Sequence, residues 1–203
     1  MFLHPFLNEL DRQQADDVEL SQALTFEAVQ FKYDGIWACA SRIGADQTVS
    51  IISRNGLLKD SWQLPNLPDR TVLVGEFMYG TQWAQNPERL GKLYCYDLLM
   101  LEGVDYRQYP YSRRYADLRT AVDVINDPRV KFVQTFSVAS NVPRMLAALR
   151  ANRAYEGLVF RNWAQTYENP IGRIKLDTED DYVITAVLPG EGKHAGRAGS
   201  YAA

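Results

Sequence analysis

Apolar residues recur along most of the chain in short runs with strand-like spacing, and only twice with the wider spacing of a helix. The first run, Phe26 to Ala40, reads FEAVQFKYDGIWACA and predicts two strands meeting at Asp34-Gly35. Thr48 to Ser53 predicts another strand, ending in Arg54-Asn55-Gly56, where Asn-Gly favours a tight turn. Residues 57–69 hold two prolines and predict a connection with room for a short helix. Thr71 to Tyr79 and Lys92 to Leu99 are the next predicted strands, separated by a polar loop over residues 81–91. Ser112 to Ile125 carries Leu118, Val122 and Ile125 at helical spacing, and Val142 to Asn152 predicts a second helix with Pro143 in its first turn. Tyr155 to Arg161, Gly172 to Leu176 and Asp181 to Val187 return to strands. Residues 6–20 are polar and acidic and predict a loose surface helix or an irregular arm. The pattern has no internal repeat. Strands, then irregularly placed helices, then strands again point to an α+β fold of antiparallel sheets flanked by helices, not to regular βαβ winding. From Leu188 the sequence turns to PGEGKHAGRAGSYAA, whose four glycines and few core formers predict a linker or the opening of a further unit.

Composition changes this picture little. Hydrophobic residues make up 46% and charged residues 23%, as in ordinary soluble domains. No apolar run is long enough to span a membrane, and the start lacks a secretory pattern, so a cytoplasmic protein is expected. Cys39 and Cys95 have no second cysteine at metal-ligand spacing and predict two buried thiols in a reducing compartment. Two histidines leave no scope for a histidine-rich zinc site, whereas carboxylates and phosphate oxygens could hold a hard divalent ion. Charge is uneven under its net of -3: residues 1–30 carry six acids and one base. Nucleic-acid contact needs a local positive face, so the total excludes nothing.

The candidate chemistry begins at Lys32-Tyr33-Asp34-Gly35. A lysine beside a strand turn can be a nucleophile if its surroundings favour the free amine, although a solvated lysine is the plainer reading of the tetrapeptide alone. Four further segments change that balance. Arg54 stands at a strand end, and Glu76 interrupts an otherwise apolar strand. Glu156 opens another strand, and Arg173 and Lys175 alternate so as to share one face of an extended segment. Charges on inward faces of strands are costly unless they meet a ligand or each other. Such a set suits phosphate transfer: the cations neutralise a triphosphate, the glutamates hold Mg²⁺ or a ribose, and Tyr96 stacks on a base.

The ordered series FKYDG, SRNG, VGEF, YCYDLL, YEGLVFR and GRIKL resembles the nucleotidyltransferase motifs of the ATP-dependent DNA ligases, most of all the small ligases of bacteriophages. The resemblance covers about residues 26–187. It implies an ATP-grasp-like nucleotidyltransferase domain there, after an acidic arm at 1–25. Residues 188–203 would be a linker and the truncated start of an oligonucleotide-binding (OB) domain that is otherwise absent. Lys32 would attack the α-phosphorus of ATP and hold AMP, with Mg²⁺ or Mn²⁺ as cofactor. AMP would then pass to the 5′-phosphate of nicked double-stranded DNA, and the 3′-hydroxyl would seal the strand.

Residue by residue, the resemblance places Gln30 and Phe31 beside the adenine and Tyr96 against its face. Arg54 would meet the ribose or nick phosphate, and Glu76 the ribose and metal. Glu156 would support the metal, with Arg173 and Lys175 on the phosphates. A monomer is expected, in the cytoplasm of a bacterial host if phage-encoded, with the OB domain needed for full sealing either supplied in trans or lost by truncation. Trp37 stands where the family usually has arginine, so that contact would be missing or supplied by Arg42. Arg173 stands for the usual lysine and Tyr96 for the usual phenylalanine. The same lysine chemistry serves RNA ligases and capping-type guanylyltransferases, and a non-catalytic nucleic-acid-binding relic of the fold is a third reading. The SRNG segment and the GEGKHAGRAGSY ending favour DNA ligase.

Overall fold

The computed structural model describes residues 15–42, 46–79, 88–151, 155–175, 186–190, 196 and 198–202. Among them, two sheets dominate. The larger has the order β5(Leu58–Gln63)–β4(Thr48–Ser53)–β3(Ile36–Arg42)–β6(Thr71–Phe77)–β7(Leu93–Leu101)–β8(Val104–Asp105), with β9(Val130–Phe132) parallel to β7. The smaller has the order β1(Ala15–Asp17)–β12(Ile171–Lys175)–β11(Tyr155–Arg161)–β2(Ala28–Tyr33)–β10(Phe136–Ser137). All pairings within them are antiparallel except β1 with β12 and β7 with β9.

Side-chain parity assigns the layers. In β3, Ala38 and Ala40 join Leu73 and Phe77 of β6 in a cluster with Leu118, Ala121, Val122 and Ile125 of helix α2(Tyr111–Ile125). Trp37 and Cys39 point the other way and join Val72, Val74, Leu99 and Tyr167. In the smaller sheet, Val29, Leu158 and Phe160 pack on Val138, Val142, Met145 and Leu149 of helix α3(Val138–Ala151). The opposite parity of β2, β11 and β12 therefore faces the second side of the larger sheet, and a cleft opens there. Both faces of β6 are covered, and all seven of its residues are buried.

Several expectations need correction. Residues 57–69 contain strand β5, not a helix-bearing connection: Trp62 is buried against the α2-side core and its indole donates to Asp60 at 2.7 Å. The acidic stretch is neither a surface helix nor an irregular arm over its described part. Ala15–Asp17 pairs as a strand, and only Leu20–Ala23 is helical, as α1. Helix α3 starts four residues before the expected Val142, so Pro143 lies inside it, where its missing N–H removes one backbone bond. Ala186–Pro189 (β13) and Ala198–Ala202 (β14) pair as a two-stranded sheet in the stretch expected to hold a linker and the start of a further domain, and residues 1–14, 80–87 and 176–185 lie outside the described residues. The two cysteines are buried and free, as anticipated.

Two glycines hold close approaches that no side chain fits. A Cβ on Gly75 would stand 2.4 Å from the Tyr94 carbonyl oxygen, and one on Gly157 2.0 Å from that of Ile174. Gly157→Ala should therefore cost about 3 kcal/mol, the upper end for overpacking, because the obstacle is backbone. Urea unfolding measures it, and an unchanged midpoint would mean that β12 yields freely.

Candidate functional site

The cleft between the sheets is lined by Gln30, Phe31 and Lys32 of β2, Trp37 of β3, Glu76 of β6 and Tyr96 of β7. Tyr33 at the end of β2, Ala15 of β1, Val159 and Arg161 of β11, Ile171 and Arg173 of β12, and Tyr167 of the loop between those strands complete the wall. Parity accounts for most of this set. Gln30 and Lys32 alternate with Val29 and Phe31, which pack toward α3; Arg161 alternates with Phe160; and Glu76 shares the face of Val72 and Val74.

Phe31 lines the cleft although it packs with the α3-side cluster, and two further residues, Tyr96 and Glu156, sit on β-bulges. Along β7, Cys95 is opposite Gly75 and Asp97 is opposite Val74, which leaves Tyr96 without a partner position. Along β11, Tyr155 is opposite Tyr33 and Gly157 is opposite Lys32, which leaves Glu156 unmatched. A bulge re-aims the extra side chain. Here it turns Glu156 onto the Lys32 ammonium, with which it forms an ion pair. The glycines of close approach, Gly75 and Gly157, are the bulges' neighbours.

Three ion pairs set the electrostatics. The first is Lys32 with Glu156; the Lys32 side chain is 11% exposed. The second is buried: Arg114 of α2 donates from Nε and Nη2 to the Asp97 carboxylate at 2.7 and 3.1 Å, and Arg161 Nη1 reaches it at 3.4 Å. Asp97 and Arg114 are 0% exposed and Arg161 is 3%. The Arg161 guanidinium lies 5.6 Å from the Tyr96 ring centre, so this cluster carries its excess positive charge up to the cleft wall. In the third pair Arg173 donates to Asp17 at 2.6 and 3.1 Å, which holds the Asp17 carboxyl below its usual range.

The expected site residues divide. The fold brings Gln30, Phe31, Lys32, Glu76, Tyr96 and Arg173 to one cleft, with Glu156 reaching it through Lys32. Arg54 does not line it: Arg54 is exposed in the hairpin turn between β4 and β5. Lys175 shares the face of Arg173 but sits exposed at the strand end. Arg42 cannot replace the arginine that Trp37 displaces. It is five residues along β3, about 16 Å away, and its guanidinium is bound to the carbonyl oxygens of Leu67 and Pro65. Trp37 itself is a buried part of the wall. Glu76 and Glu156 are hard oxygen donors of the kind Mg²⁺ takes, but no group of three or more potential ligands occurs among the described residues. Nucleotide oxygens and water would have to complete such a shell. No described helix is long and apolar enough to cross a membrane.

No family model and no curated protein matches the sequence. Solved structures do. A Lig E DNA ligase superposes with a TM-score of 0.65 at 18% identity, over 95% of this chain and 79% of that one. The ligase domain of M. tuberculosis LigD gives 0.61 at 18% identity, over 85% and 61%. The ATP-dependent DNA ligase of bacteriophage T7, in complex with ATP, gives 0.56 at 13%, over 94% and 76%. The fold is that of the ATP-dependent DNA ligases. The chain spans between about three fifths and four fifths of the length of these three ligase structures.

Within this ligase fold, three wall or support residues had no place in the sequence reading. Arg161 closes the YEGLVFR strand, and its alternation with Phe160 was a usable signal. Asp97 interrupts an apolar strand just as Glu76 does. Tyr167 lies in a loop with no periodicity, and nothing in the sequence marks it.

Proposed function

We propose that this chain is the adenylating domain of an ATP-dependent DNA ligase. The observation that carries this reading is the pairing of Lys32 with Glu156 at a cleft whose wall also holds aromatic rings, Arg161, Arg173 and Glu76. A carboxylate in contact favours the ammonium, which has no lone pair to offer. Glu156 must therefore part from Lys32 before attack; Glu156 and Glu76 are the carboxylates that would hold a divalent ion here, which would supply positive charge beside the phosphates. Once parted, the Lys32 ammonium releases a proton to solvent, and the free amine attacks the α-phosphorus and loses a second proton as the phosphoramidate forms. A P–N bond forms, the bond to pyrophosphate breaks, and pyrophosphate leaves with the electron pair.

Arg173 and the excess charge of Arg161 stabilise negative charge on the phosphates. Tyr96 offers its face to the base, and Gln30 supplies a buried amide whose Nε2 is held only by a long bond, 3.5 Å, to the Val133 carbonyl. Transfer of AMP to the 5′-phosphate of a nick and attack by the 3′-hydroxyl complete the cycle. Contacts to the duplex run through its backbone, so binding weakens with salt and has little sequence preference.

The test is intact mass after incubation with ATP and Mg²⁺. A gain of one AMP is expected, alone or accelerated by an OB domain added in trans. A gain from GTP but not ATP would support a capping-type enzyme instead. No gain from either nucleotide, with the OB domain present, would overturn nucleotide transfer.

A further inference from the structure

Strand β1 brings two carboxylates to the edge of the smaller sheet, beside the strand that bears Arg173 and Lys175. The parallel register sets Asp17 against Arg173, and the guanidinium uses Nε and Nη2 together on the two carboxylate oxygens. Two parallel N–H···O bonds are also how arginine takes a phosphate. Asp16 adds a second negative charge toward Arg173, and Asp17 also attracts Lys175. Ala15, on the same strand, lines the cleft with Arg173. A purely structural reason for this pair is weak. The Asp17 side chain is 70% exposed, and ion pairs at such positions contribute little to stability.

We propose that Asp17 is a built-in competitor for phosphate: its carboxylate holds the two donors of Arg173 that an entering phosphate takes, and so sets the affinity of this end of the cleft for phosphate. This rests on the reading of the cleft as a nucleotide site. The chemistry is a phosphate with two free oxygens, and it has two sources, a nucleotide polyphosphate or the 5′-phosphate of a nicked duplex. A singly charged carboxylate yields to a polyphosphate by mass action and charge, which makes the contact displaceable where a buried one would not be.

Calorimetric titration of the full chain, Asp17→Asn, Arg173→Gln and the double variant, each with ATP, inorganic tripolyphosphate and a 5′-phosphorylated nicked duplex, decides it. Asp17→Asn should tighten ATP and tripolyphosphate about three-fold at low salt. The gain should shrink as salt rises and vanish with Arg173→Gln. Tightening confined to the duplex supports the competitor and assigns the phosphate to nucleic acid. Unchanged or weaker binding of all three ligands by Asp17→Asn overturns it, as does an equal gain in the Arg173→Gln background, which would mark a general charge effect. If no variant binds ATP while tripolyphosphate still tightens through Arg173, the nucleotide reading falls and the role of Asp17 stands.

Discussion

Lys32→Ala should leave no AMP adduct at all, where the unaltered chain gains one, in the same intact-mass experiment with ATP and Mg²⁺. The loss is expected to be complete because Lys32 is the one lysine among the described residues that line the cleft. Burial raises the phenols of Tyr33 and Tyr94 above their ordinary range, so both stay protonated and unreactive near neutrality. Burial likewise pushes the Cys39 thiol up to about 12, far from a reactive thiolate at neutral pH. Lys175 is at the exposed end of its strand, outside the lining of the cleft. Lys32→Arg should fail equally, since a guanidinium keeps its charge and offers no free amine. ATP binding should survive in Lys32→Ala, reduced several-fold by the lost charge, because Arg161, Arg173 and the aromatic wall remain. An adduct that persists in Lys32→Ala would place the nucleophile elsewhere and sink the assignment.

The strands that build this cleft were legible because they are half-buried or buried and alternate in register with their neighbours. FEAVQFKYDGIWACA gave β2 and β3 almost to the residue. Strand β5 escaped because LKDSWQ has one buried apolar residue, Trp62, among exposed ones. An edge strand is held by backbone pairing to β4, and backbone pairing leaves no mark on side-chain pattern.

The site was legible by residue type more than by position. Period-two reading counted back from Leu98 or Leu158 misplaces Tyr96 and Glu156, since a bulge reverses the count. The glycines beside them were the only local sign. Arg54 and Lys175 show the opposite failure. Their order in the chain marked them as site residues, but neither lines the cleft. The acidic N-terminal stretch names no site by itself, because acids in sequence carry no register; the pairing of Asp17 with Arg173 gives them an address.

Asp97→Ala should destabilise the protein by about 3–5 kcal/mol, the range for removing one partner of a buried ion pair. Asp97 is on β7 in the larger sheet, Arg114 on α2, and Arg161 on β11 in the smaller sheet, so one carboxylate ties three elements together. Its Oδ1 also accepts from the Leu98 backbone N–H at 2.9 Å. Without it, two guanidiniums would face each other in a buried site. Arg114 would keep the Tyr109 and Gln165 carbonyl oxygens at 2.6 and 3.2 Å, but neither carries charge. Urea unfolding measures the loss; a drop below about 1 kcal/mol would show that water reaches the cluster and that its burial is not energetically real. Replacing all three residues by apolar ones of similar volume should recover most of the stability, since an intact buried ion cluster stabilises little against such a swap. The triple variant should still bind ATP poorly. It lacks the Arg161 charge behind the Tyr96 ring and at the cleft wall, so the fold would be restored without the field that the phosphates need. Recovery of stability together with full nucleotide affinity would show that the cluster serves the fold alone.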